Sequence, residues 1–177
     1  MKSLLIASTI AALTLSGCVV ISKKQTEKQA YSDLVDFKEP AYSTKVLTRG
    51  QLICESGKVC PELSVDWKQD LNQTHKLILD IYEPESYNIQ QFTFVVDGET
   101  FTYNAAKNST QRQLPNSNII NSSNYASVPT SLLNKMTTAQ SILVTLKTNR
   151  GDLSNYMLES GKQSNAYKLF LRRINNN

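Results

Sequence analysis

Apolar and polar residues alternate most regularly between Lys76 and Ala105. Leu77, Leu79 and Ile81 share one parity and Ile78, Asp80 and Tyr82 the other, so an extended chain puts the two sets on opposite faces. Glu83-Pro84-Glu85-Ser86 breaks the run. Phe92, Phe94 and Val96 then alternate with Thr93, Val95 and Asp97, and Asp97-Gly98 is a favoured two-residue hairpin turn. Beyond it Phe101, Tyr103 and Ala105 alternate with Thr100, Thr102 and Asn104. The spacing predicts a β-meander with its aromatic side chains turned inward.

Weaker patterns flank the meander. Lys45 to Leu52 and Leu63 to Trp67 read as strands, with Gly50 marking a turn or bulge. Ile142 to Lys147 reads as a buried strand, Asn149-Arg150-Gly151-Asp152 as a turn, and Leu153 to Leu158 as the hairpin partner. Pro129-Thr130-Ser131 opens a short helix near 130–138, with a hydroxyl cap and with Leu132, Leu133 and Met136 on one face. Ala166, Tyr167, Phe170, Leu171 and Ile174 recur at helical spacing, so residues near 163–174 form an amphipathic C-terminal helix. Lys107 to Tyr125 is rich in Asn and Ser and reads as a long polar loop, the kind that carries function in small domains. Ala30 to Phe37 fits a short helix or an edge segment before Glu39-Pro40. Together these elements predict a mainly β protein with minor α (α+β): an antiparallel β-sandwich or curled sheet, its open side or edge covered by the last helix.

The N-terminus has a different pattern. Lys2 precedes an apolar run from Leu4 to Leu15, and the small residues Ser16 and Gly17 lead to Cys18. Leu15-Ser16-Gly17-Cys18 resembles the lipobox of bacterial lipoproteins. The resemblance covers residues 1–18 alone. It implies removal of the leader and acylation of Cys18, where two or three chains anchor firmly because each buried CH₂ contributes about 0.8 kcal/mol. Val19, where this class often has Asp for inner-membrane retention, favours the outer membrane. An uncleaved spanning helix and an ordinary secretory peptide are the other readings, although Thr9, Thr14, Ser16 and Gly17 interrupt the run.

With residues 1–18 as a signal peptide and 19–30 as a flexible tether, residues 31–177 make one globular domain. The formal charge of +4 falls to +3 when Lys2 leaves, too little and too scattered for a nucleic-acid binder. Lys23, Lys24 and Lys28 belong to the tether, solvated or brushing anionic headgroups. Of three cysteines, Cys18 takes lipid, which leaves Cys54 and Cys60 to form a disulfide outside the cytoplasm.

Catalytic chemistry is sparse. His75 is the single histidine and follows the turn-like Asn72-Gln73-Thr74, which predicts an exposed loop residue; no serine has nucleophile-elbow spacing. A zinc site has too few ligands, no glycine-rich phosphate loop appears, and no cofactor is implied. Carboxylates cluster in the meander (Asp80, Glu83, Glu85, Asp97, Glu99), and a pair of them would suit glycoside hydrolysis. Arg150-Gly151-Asp152 spells an integrin-binding tripeptide but is also ordinary turn composition. Tyr82, Tyr87, Tyr125 and Tyr156 are candidates for a ligand surface, since exposed Tyr is common at binding faces. The leading expectation is therefore a non-enzymatic, lipid-anchored envelope protein that binds another envelope protein or a glycan. The competitors are a cell-wall hydrolase and a small inhibitor or immunity protein using the 54–60 or 107–125 loop.

Overall fold

A computed structural model describes residues 47–68 and 73–175. The expected signal peptide and tether (residues 1–30), with Cys18, and the 30–37 segment lie outside them. The described chain forms two five-stranded antiparallel sheets packed face to face, with two helices. Sheet A contains β1 (Leu47–Gln51), β2 (Glu62–Asp66), β3 (Thr74–Glu83), β6 (Thr110–Gln113) and β7 (Ile120–Pro129), in the order β1-β2-β3-β7-β6. Sheet B contains β4 (Ile89–Val96), β5 (Glu99–Asn104), β8 (Ile142–Thr148), β9 (Gly151–Glu159) and β10 (Lys162–Gln163), in the order β10-β9-β8-β4-β5. The helices are α1 (Thr130–Thr137) and α2 (Asn165–Asn175).

The alternation seen in the sequence is the inside-outside alternation of the sandwich. Leu77, Leu79 and Ile81 of β3 meet Phe92, Phe94 and Val96 of β4 in one apolar core, joined by Leu63 and Val65 of β2 and Ile142, Val144 and Leu146 of β8. Asp97 and Gly98 both take positive φ (49° and 86°), and the Asp97 carboxylate accepts the Gln140 and Ser141 amides at 2.9 and 2.8 Å. The C-terminal helix closes the side of the sandwich as expected. α2 is capped by the Ser164 hydroxyl, which accepts the Tyr167 amide at 3.0 Å, and it buries Ala166, Tyr167 and Phe170. Tyr167 then donates its hydroxyl to the Met136 carbonyl of α1 at 3.0 Å.

Five expectations need correction. The Lys76–Ala105 run is not one meander: β3 pairs with β2 and β7 in sheet A, whereas β4 and β5 pair in sheet B, because Glu83-Pro84-Glu85-Ser86 opens a crossing from one sheet to the other instead of a hairpin. The 107–125 stretch is not one loop: it contains β6 and most of β7, a ten-residue strand paired along its whole length with β3. Its inward residues are Ser122, Asn124, Ala126 and Val128, so half of the buried positions are polar and the apolar rhythm vanishes. They are buried because they bond: Ser122 Oγ accepts the Tyr87 amide at 2.9 Å, and Asn124 Nδ2 donates to the Ile89 and Lys107 carbonyls at 2.9 and 2.6 Å. His75 is no loop residue; it is 8% exposed within β3, with the Trp67 ring edge-on at 5.9 Å. Gly50 makes neither turn nor bulge, since β1 keeps a regular register with β2 across it and the α2 backbone lies against it. Pro129 is itself the N-cap residue of α1 and offers no capping side chain; the Thr130 hydroxyl bonds the Gln73 carbonyl instead, at 3.0 Å.

Cys54 and Cys60 are joined, their Cα atoms 5.6 Å apart, at the tip of the β1–β2 hairpin. Next to the bridge, Ile53 donates its amide to the Tyr156 carbonyl of β9 at 2.7 Å, tying this hairpin to sheet B. Replacing both cysteines by serine removes only a small ring. By loop closure that costs about 2 kcal/mol of stability, read as a lower midpoint in urea with an unchanged fold by far-UV circular dichroism.

Candidate functional site

The register of sheet A gathers its charges on the face turned away from the core. Glu62 of β2 stands directly opposite Asp80 of β3, and Arg49 of β1 lies beside them. Directly opposed residues on antiparallel strands have Cβ atoms about 5 Å apart, so two like charges here repel unless a cation intervenes. Arg49 is that cation. Its Nε donates to Glu62 Oε2 at 2.6 Å, and its terminal nitrogen is 3.8 Å from Asp80 Oδ2. The same guanidinium donates to the Tyr82 hydroxyl, which also accepts from Asn121 Nδ2 at 3.0 Å.

This group is buried although it lies on the outer face. Glu62 is 2% exposed, Asp80 7% and Ser64 1%. Burial pushes the Glu62 carboxyl above the usual glutamate range; Arg49 opposes that rise and Asp80 adds to it. Two polar atoms, Ser64 Oγ and Asn121 Oδ1, are enclosed with no partner. Two carboxylates share one arginine, so the cluster is one cation short of neutral. That suits a fixed ionic staple across three strands, with the Glu62 carboxyl closed off from solvent.

The other carboxylates of the 76–105 run go elsewhere. Glu99 lies on β5 in sheet B and bonds Lys135, whose ammonium also sits 5.3 Å from the Phe101 ring centre. Asp97 holds its turn. Glu85 bonds Arg150. Glu83, at the end of β3, and Glu85 both act on Tyr87, while Asp80 meets a glutamate that the alternation did not single out, Glu62.

The four tyrosines also separate. Tyr82 and Tyr125 are on the outer face of sheet A, the first in the ionic cluster and the second with the Lys76 ammonium 4.8 Å from its ring centre. Tyr87 lies in the β3–β4 connection with the Arg150 guanidinium 5.6 Å from its ring centre. Burial raises the Tyr87 hydroxyl pKa, and Glu83 raises it further. Tyr156 is half-buried on β9, opposite Leu143. The Arg150-Gly151-Asp152 turn presents no free arginine, since Arg150 also donates to the Ser86 carbonyl at 3.0 Å.

Arg49, Glu62, Asn121 and Asn124 escaped the sequence reading because their roles follow from strand register. One signal was present: counting back from the Cys54–Cys60 hairpin brings Arg49 within one pair of Ser64, its partner across β1 and β2, with Glu62 two positions further along the same face. Among the described residues no helix is long and apolar enough to cross a membrane. No family model, curated protein or solved structure matches this chain.

Proposed function

We propose that this chain is an envelope lipoprotein, anchored through acyl chains on Cys18, whose β-sandwich binds another envelope component, protein or glycan, without turning it over. Two features far apart in sequence support the reading. The Leu15-Ser16-Gly17-Cys18 run has the form of a lipobox. The other two cysteines form a disulfide, which persists outside the reducing cytoplasm. The formed bridge is the observation that carries the proposal, because a disulfide fits the oxidising compartment that an anchor at Cys18 implies. The outer membrane is the proposed location, on the strength of Val19 after the cysteine.

In-cell crosslinking of the wild-type protein followed by mass spectrometry tests the binding role. The same envelope partner should recur across crosslinker lengths. Peptidoglycan cleavage by the purified protein, lost on Asp80→Asn with the fold intact, would contradict the non-enzymatic reading and support the hydrolase.

A further inference from the structure

α2 carries three cations and no acid: Lys168, Arg172 and Arg173. Ala166, Tyr167 and Phe170 turn into the core, which leaves Lys168 and Arg172 on the solvent side. Arg173 lies half-buried on the flank, with its Nε enclosed and without a partner. Most other described cations are answered. Arg49 meets Glu62, Lys58 meets Glu55, Lys135 meets Glu99 and Arg150 meets Glu85. Lys76, Lys147 and Lys162 face Asp66, Asp152 and Glu159 across their strand pairs. The α2 cations have no ion pair among the described residues. The helix dipole accounts for Arg172 and Arg173 in the last turn, but not for Lys168.

The position of this helix gives the charges a use. Ala166 abuts Gly50, while four residues later Phe170 stacks on Trp67 at 5.6 Å, and Trp67 Nε1 donates to Thr48 Oγ1 at 3.0 Å. α2 therefore runs back along β1, and its basic end lies beside the residues where the chain from Cys18 joins the sandwich. Leu47, the first of these, shares the parity of Arg49 and so turns to the face of β1 opposite α2. Leu169 on the helix is only half-buried. Cations beside apolar side chains are the composition of a surface that settles at a lipid–water boundary.

We propose that the corner formed by Lys168, Arg172 and Arg173 around Leu169 is the face that the anchored domain turns toward the bilayer, where it binds the phosphates of anionic phospholipid headgroups. The setting rests on the Cys18 reading, although the contact itself needs no acyl chain. Three cations bind a free membrane weakly, but a tether makes the encounter intramolecular, so a weak attraction is enough to fix orientation.

Amine footprinting tests the face. The full chain, as cells produce it, is presented to saturating vesicles of phosphatidylcholine alone or with about one-third phosphatidylglycerol, and lysine acetylation is read by mass spectrometry. Lys168 should react at least about fivefold more slowly on the anionic vesicles, with recovery in high salt, while Lys147 on the outer face of sheet B reacts equally on both. Arg172→Gln, an exposed position, should weaken the protection about fivefold, and Lys147→Gln should leave it unchanged. Equal reactivity of Lys168 on the two vesicle types overturns the proposal. So does an equal effect of Lys147→Gln, which would mean net charge alone. The mass of the same sample reports acylation separately. Protection of Lys168 on a protein without acyl chains keeps this face and removes the anchor; an acylated protein with Lys168 unprotected does the reverse.

Discussion

Gly50→Ala is expected to lower stability by about 3 kcal/mol, the upper end of the usual overpacking cost. A Cβ at position 50 would lie 2.5 Å from the Ala166 nitrogen, 2.6 Å from the Asn165 carbonyl carbon and 2.8 Å from the Ala166 Cα. All three are backbone atoms, so no side chain can swing aside, and α2 has to lift from β1. Lifting α2 loosens Phe170 from Trp67 and Tyr167 from α1, exposing the side of the sandwich that the helix closes. For a domain of this size the midpoint of thermal unfolding should fall by roughly 10 °C. A shift under about 2 °C would mean that the helix does not lie against β1.

Arg49→Met is expected to have the larger effect, about 3–5 kcal/mol at neutral pH, because it leaves Glu62 and Asp80 buried together with no cation. The loss should depend on pH. A carboxyl whose folded pKa is raised contributes stability that is complete below its unfolded pKa and is lost as pH rises through the folded value. Glu62 is already raised in the wild type, and removing Arg49 raises it further. The gap between variant and wild type should therefore narrow as pH falls from neutrality toward the ordinary glutamate range. Adding Glu62→Gln to Arg49→Met should restore much of the stability at pH 7. Urea unfolding at pH 7 and pH 5 measures both, and a small, pH-independent loss would show that the three side chains do not form one ionic unit.

These two positions mark where sequence reading succeeds and where it stops. The strands β3 and β4 were legible because they record their burial in hydrophobicity, Leu77, Leu79, Phe92 and Phe94 differing in kind from their outward neighbours, but alternation does not say which strands pair, so their division between two sheets was missed. The disulfide was legible because reading Cys18 as a lipid site leaves Cys54 and Cys60 as one pair. β7 was not, since Ser122 and Asn124 are buried to bond the backbone at Tyr87 and Ile89, and their polarity looks like a loop. Gly50 was seen as special, but the cause, a helix arriving from more than a hundred residues downstream, leaves no local trace. The same holds for Arg49, Glu62 and Asp80, which become neighbours only when the register of three strands is known. The placing of the tyrosines was equally illegible: similar side chains at suggestive spacing fall on three different parts of the sandwich.

The proposed place and role of the protein depend on Cys18, and intact-mass analysis of the protein extracted from cell membranes addresses it directly. The account predicts a chain beginning at Cys18, heavier than its residues by two or three acyl groups, and a Cys18→Ser variant that carries no such mass. A membrane-extracted chain with Met1 to Gly17 still attached and an unmodified Cys18 would contradict it.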